Sequence, residues 1–106
     1  MADTAKSDPW IGKYVVVRCR DAGVHAGILK SRTDRECELT DSRRLWYWMV
    51  AGNGAFLSGV ATAGLDHAAS KVGAPIDVIL TENCEVIACT EVAAESIRSA
   101  PVYERR

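Results

Sequence analysis

Lys13-Tyr14-Val15-Val16-Val17-Arg18-Cys19-Arg20 reads as a β-strand, and Asp21-Ala22-Gly23 behind it sends the chain back through Val24 to Lys30. Three β-branched residues in a row favour extended backbone, because two heavy atoms on Cβ restrict χ1. Side chains alternate along a strand, so Tyr14, Val16, Arg18 and Arg20 take one face and Val15, Val17 and Cys19 the other. Asp and Gly tolerate the positive φ of a tight reversal. In the returning strand, Gly27 marks a bulge or a close backbone approach. Further on, Thr33-Asp34-Arg35 makes a polar turn, Glu36 to Thr40 a third strand, and Asp41-Ser42 a turn into the strand Arg43-Arg44-Leu45-Trp46-Tyr47-Trp48. Connections this short make an antiparallel meander.

The pattern then changes. Ala51-Gly52-Asn53-Gly54 reads as a hinge or loop, and Ala55 to Leu65 as a short helix with Phe56, Val60 and Ala63 on one stripe. Gly59 weakens that helix, and Gly64 suits its C-terminus. Asp66 to Pro75 reads as loop with some extended structure. Ile76 to Leu80 and Glu85 to Cys89 are two more strands around the turn Thr81-Glu82-Asn83. Thr90 is placed to cap a helix over Glu91 to Ser99, which Pro101 ends. The expected fold is mainly β with minor α: an antiparallel meander forming a curled sheet or small barrel of about six strands, with a short middle helix and a C-terminal helix. Residues 1–10 read as a flexible tail and 11–106 as one β-rich domain.

Composition excludes several classes. With 48% hydrophobic and 25% charged residues, disorder is not the default. A net charge of −1 gives no general attraction to nucleic acid or anionic membranes, so any anion site is a local cluster of Arg and Lys. No apolar run approaches the ~18 residues of a membrane span, and Met1 to Pro9 lacks the apolar stretch of a signal peptide. The expected location is cytoplasmic. Cys19, Cys37, Cys84 and Cys89 form no Cys-x-x-Cys pair and stand at no metal-ligand spacing from His25 or His67, so they read as buried free thiols.

Arg43 to Trp48 carries the most specific chemistry. On a strand, Arg44, Trp46 and Trp48 share one face, while Arg43, Leu45, Tyr47 and Met49 share the other. Arg pairs with phosphate and Trp stacks on a base, so the first face suits a flat anionic ligand. Burying a Trp side chain of roughly 200 Å² contributes up to about 5 kcal/mol, against about 1–3 kcal/mol for stacking one base, so packing is the stronger general reason for a Trp. Leu45, Tyr47 and Met49 already provide a core face, however, and a small sheet rarely has two. The other face therefore needs a helix, a second subunit or a ligand as cover. Arg44 tilts the balance toward a ligand or a polar interface, because an isolated buried charge is costly. Arg18, His25 and Lys71 are further candidates to gather round a phosphate, and Arg43 takes the place of Arg44 if the register slips.

Catalytic motifs are missing from the sequence. It contains no Gly-x-Ser-x-Gly elbow, no Gly-x-x-x-x-Gly-Lys-Ser/Thr phosphate loop and no His-x-x-x-His metal pair. His67 reads as an exposed loop histidine. An enzyme, a cofactor and a bound metal are not expected.

Lys13 to Trp48 weakly resembles an Sm-like or SH3-like barrel through Val15-x-Val17, Gly27-x-Leu29 and Leu39-x-Asp41. A broader match rests on Val24-His25-Ala26-Gly27, Ser42-Arg43-Arg44-Leu45-Trp46-Tyr47-Trp48, Leu57-Ser58-Gly59-Val60-Ala61, Ser70-Lys71, Ile79-Leu80-Thr81 and Ser96-Ile97-Arg98-Ser99-Ala100-Pro101. In these stretches the chain resembles a family of short phage and prophage proteins of unassigned function. That resemblance implies a phage origin, the host cytoplasm as location and, as for many small non-virion phage proteins, action against host defence. The expected function is therefore a non-enzymatic sponge for a nucleotide-derived immune signal, a cyclic nucleotide or ADP-ribose derivative, working as a homo-oligomer. Its expected site is Arg44, Trp46 and Trp48, with Arg43, His25, Lys71, Arg18 and Tyr47 around them. The alternatives are a module that inhibits a host protein through the same aromatic face, since Arg, Trp and Tyr are enriched at binding hot spots, and a single-stranded nucleic-acid binder. The near-neutral charge counts against the last.

Overall fold

The structure is a computed structural model and describes residues 8–104. Its elements run β1 (Tyr14–Cys19), β2 (Val24–Arg32), β3 (Glu36–Tyr47), α1 (Phe56–Ala63), a 3-10 turn (His67–Ala69), β4 (Lys71–Val72), β5 (Ile76–Thr81), β6 (Asn83–Ala88) and α2 (Glu91–Arg98). All strand pairs are antiparallel: β1 with β2 and β6, and β3 with β2, β4 and β5. The fold class is as expected, a mainly β chain with six strands in a curled, unclosed sheet and two helices.

The meander covers only β1 to β3. β5 and β6 are joined through Glu82 alone, at φ 55°, yet β5 pairs with β3 and β6 with β1. A one-residue link can reach both edges only because the right-handed twist curls the sheet until those edges approach each other. Backbone bonds fasten the link: the Arg20 amide donates to the Glu82 carbonyl (3.0 Å) and the Asn83 amide to that of Arg35 (3.1 Å).

A second difference lies at Asp41-Ser42, which is a bulge inside one twelve-residue strand and not a turn between two. Ile28 faces Thr40 while Ala26 faces Arg43, so β3 carries an extra residue there. Asp41 absorbs it at φ 51°, a conformation that Asp tolerates better than most residues. Gly27 stands across from the bulge, and a Cβ on it would lie 2.9 Å from both the Ser42 Cα and the Thr40 carbonyl oxygen. The close approach expected of Gly27 is therefore real, and it is what lets the strand continue.

The sheet has two cores, one on each face, and this overturns the expectation of a single core face. Tyr14, Val16, Ala26 and Leu45 pack against Leu57, Val60 and Ala61 of α1 and Ala94 and Ile97 of α2. On the concave side, Val15, Val17, Cys19, Leu29, Cys37, Leu39 and Leu80 form the second cluster. Val15, Val16 and Val17 are all fully buried because β1 is central and covered on both faces. Each contributes roughly 1.5–3 kcal/mol as an upper bound. Cys19 and Cys37 are buried free thiols as expected, and burial pushes Cys37 up to about 11, which keeps it inert. Cys84 is exposed, contrary to expectation, because it is the unpaired residue of a bulge in β6, where Arg18 faces Glu85 and Cys19 faces Asn83.

The helices follow their predicted signals with one shift of stripe. α1 begins at Phe56 with φ 66° and leaves that ring 80% exposed; it buries Val60 as expected, with Leu57 and Ala61 in place of Phe56 and Ala63. Gly64 ends α1 at φ 90°, where a Cβ would lie 2.5 Å from that of Ser96. The Thr90 hydroxyl accepts the Ala93 amide proton (3.1 Å) and caps α2, which buries Ala93, Ala94 and Ile97. Of the tail expected over 1–10, residues 1–7 lie outside the described residues. Asp8 and Trp10 are docked on β2: Arg32 donates to the Asp8 carboxylate from Nε (2.6 Å) and Nη2 (3.0 Å), and Trp10 packs against the concave cluster. Among the described residues, no helix is long and apolar enough to cross a membrane.

Candidate functional site

The Asp41 bulge decides which way each residue of the Arg-Trp run points. Cys37 and Leu39 face the concave cluster, and strict alternation would send Arg43 and Leu45 the same way. One extra residue reverses the phase, so Leu45 joins the helix-covered core, while Arg44 and Trp46 come to the concave side, with Arg44 opposite His25. A second irregularity between Leu45 and Tyr47, where β3 meets β4, breaks the alternation again. Trp46 and Tyr47 are both exposed, at 62% and 54%, and Trp48 turns back to pack on the helix-covered core.

Four side chains meet as a result. The Lys71 ammonium lies 5.2 Å from the ring centroids of both Trp46 and Tyr103, and the two rings meet edge to face at 5.5 Å and 64°. Arg44, Val72 and Gly73 complete the walls of a cavity of about 250 Å³. β4 supplies Lys71 through its pairing with Tyr47. Tyr103 arrives because Val102 bridges Val72 in parallel and the Tyr103 amide donates to the Val72 carbonyl (2.8 Å). A second cavity of about 280 Å³, lined by Tyr47, Ala68, Ala69 and Ser70, adjoins the first across Lys71 and Tyr103.

The electrostatics of the first cavity are one-sided. Arg18 pairs with Glu85, Lys30 with Glu38, Arg32 with Asp8, Arg35 with Glu82 and Arg98 with Glu95. Among the described residues, neither Arg44 nor Lys71 has a carboxylate within salt-bridge distance. The walls hold two cations, two aromatic rings and no carboxylate, imidazole or thiol. Such a lining can stack a planar ring and pair with an anion.

Several expected participants do other work. Arg43 is buried, donating from Nε to the Gly73 carbonyl and from Nη1 to those of Ile97 and Arg98 (3.1 Å each). It thereby satisfies the carbonyl end of α2, where a cation is favourable. His25 is buried too; its Nε2 donates to the Ala22 carbonyl (2.9 Å), and burial, with the Arg44 charge beside it, holds its pKa below the ordinary value. It is neutral at pH 7 and adds no charge for a phosphate. Arg18 is occupied by Glu85 at 2.8 Å, across the β1–β6 pair. Trp48 belongs to the core for the reason given above. Arg44, Trp46 and Lys71 are brought together, Tyr47 lines the adjoining cavity, and Tyr103 is the member that the sequence reading missed. Its signal was slight: one aromatic ring behind the helix-ending Pro101.

A larger cavity, about 620 Å³, lies elsewhere and includes Asp8, Trp10, Arg32, Asn83 and Glu85. Arg32 also sits over an indole, 5.2 Å from the Trp10 centroid, but Asp8 neutralises it. Volume alone does not make an anion site. His67 is exposed as expected, donating from Nε2 to the Ser96 carbonyl (2.7 Å). Among the described residues, no group of three or more His, Cys, Asp or Glu is placed to hold a metal ion.

No curated protein and no solved structure matches the chain. A protein family described as a domain of unknown function (DUF6948) matches residues 12–97, and the chain belongs to that family.

Proposed function

We propose, from membership of a family whose activity is unassigned, that the chain is a non-enzymatic phage protein that binds and sequesters a nucleotide-derived immune signal. The signal would be a cyclic nucleotide or an ADP-ribose derivative. The observation that supports this most is a pair of cations, Arg44 and Lys71, lining one cavity with Trp46 and Tyr103 and lacking a carboxylate partner among the described residues. Trp46 stacks on the base, for about 1–3 kcal/mol. Arg44 and Lys71 bind phosphate, where each charge-assisted hydrogen bond contributes about 1.5–3 kcal/mol. The phage and anti-defence elements rest on the sequence resemblance. Self-association is part of the reading: β5 pairs only with β3 among the described strands and exposes Ile76 and Ile79.

The test is fluorescence titration with cyclic nucleotides and ADP-ribose derivatives. Saturable quenching of Trp46 is expected, weakening as salt is raised. Arg44→Ala should lower the affinity about a hundredfold; unchanged binding by that variant would remove the assignment. Intact ligand recovered after denaturation separates a sponge from an enzyme.

A second reading, inhibition of a host protein, is favoured by one observation. Trp46 and Tyr47 are consecutive and 62% and 54% exposed, residue types enriched at binding hot spots, and Met49 close by is 46% exposed. A stoichiometric protein partner from host lysate, lost with Trp46→Ala, together with no nucleotide binding, would establish it.

A further inference from the structure

We infer that the ligand carries two planar groups joined through phosphate, with the phosphate at Lys71 and one ring in each of the two cavities beside it. This deepens the nucleotide reading and rests on it. The cavities of about 250 and 280 Å³ share only Lys71 and Tyr103 as wall residues. Each alone falls below the ~300 Å³ at which pockets for complete small-molecule ligands begin, and the two taken together fall within that class. Each therefore accommodates a base with little more.

The aromatic residues are divided in the same way. Trp46 lines the first cavity and Tyr47 the second, although they are consecutive in the chain. On a regular strand, neighbours point to opposite faces and one of the two would enter the core. The irregularity between Leu45 and Tyr47 leaves both rings exposed on either side of Lys71, which Tyr47 faces across the β3–β4 pair. Charge is divided unequally. Arg44 belongs to the first cavity alone, and the second has no cation other than the shared Lys71. The anionic linkage therefore lies between Lys71 and Arg44, and the ring on the Tyr47 side enters neutral. A mononucleotide would fill one cavity and leave the other ring without a partner.

Two ligand families share this chemistry, cyclic dinucleotides and linear dinucleoside pyrophosphates, and calorimetry distinguishes them. The probes are AMP and GMP, cyclic di-AMP and cyclic di-GMP, and the linear diadenosine and diguanosine pyrophosphates. At least one dinucleotide should bind one per chain, tenfold or more tighter than its mononucleotide, since a second stacked base contributes at that level. Tyr47→Ala should lose about tenfold toward the dinucleotide and nothing toward the mononucleotide, while Trp46→Ala should weaken both. Both rings are more than half exposed, so neither change threatens the fold. Mononucleotides binding as tightly as dinucleotides, or Tyr47→Ala binding the dinucleotide normally, would overturn the two-ring inference and leave the nucleotide reading intact. No binding of any probe by the unaltered protein would overturn the two-ring inference, and no binding of ADP-ribose derivatives either would overturn the nucleotide reading with it.

Discussion

Two cation–indole pairs occur among the described residues at the same 5.2 Å separation, and they have opposite characters. At Trp10, the Arg32 guanidinium is held by the Asp8 carboxylate, and the indole packs on the concave core. At Trp46, the Lys71 ammonium has two rings and, among the described residues, no carboxylate, and the indole is 62% exposed. The first is a clasp that closes the chain start onto β2. The second has unspent charge and unspent ring surface, the combination that a ligand can use. A cation beside an aromatic residue therefore says little alone; the neighbouring carboxylate and the degree of burial decide whether it is a fastening or a site.

The largest test of this contrast is at the support beneath the open pair. Arg43→Met removes the donor to the carbonyls of Gly73, Ile97 and Arg98, which hold the chain on both sides of the Lys71–Tyr103 wall. A loss on the order of 3 kcal/mol is expected in urea unfolding, because buried carbonyls are left unpaired. Gly27→Ala comes next at about 2 kcal/mol, since its Cβ meets backbone atoms of the bulge that sets the face taken by Arg44 and Trp46. Hydrogen exchange of the β2 and β3 amides should accelerate with it.

The two indoles themselves give the direct comparison. Trp10→Ala should cost about 1.5 kcal/mol through lost packing, and Trp46→Ala less than about 0.5 kcal/mol, as for an exposed residue. Equal losses in thermal unfolding would erase the distinction. The smallest effect is pH-dependent. The Arg32 guanidinium, then the Trp10 amide, hold the Asp8 carboxyl below its ordinary value of 3.8. Its contribution is thus complete above that value and disappears as the pH falls through the lower value it has in the fold. The Tm difference between the native chain and Asp8→Asn should be small at pH 7 and vanish in acid.

Much of the fold was legible, and the misreadings have specific causes. Val15 to Val17, the Asp21-Ala22-Gly23 turn and the Thr90 cap announce their elements because propensity, turn chemistry and capping act within a few residues. Asp41-Ser42 has turn chemistry as well, yet it is a bulge, because the same positive φ serves both and only the close approach of Gly27 selects between them. The Thr81-Glu82-Asn83 link reads as a turn between two strands for a similar reason, and the curl of the sheet sends those strands to different partners. At the site, Arg44, Trp46 and Lys71 were identifiable by residue type. Counting faces in twos placed Arg43 with Leu45 correctly, but it misplaced Trp48, which lies past the irregularity between Leu45 and Tyr47.

By itself the sequence determined where strands and helices lie and that cations and aromatic residues are concentrated between Arg43 and Trp48. Those properties depend on backbone preferences and side-chain chemistry acting locally. Only the tertiary structure decided which of those residues are available. Arg43 is consumed by carbonyls 54 and 55 residues away, and Tyr103 is delivered from the chain's far end through Val72. The phase of a bulge and the location of a distant acceptor are set by how β2, β3 and α2 pack, and no local pattern in the chain encodes that packing.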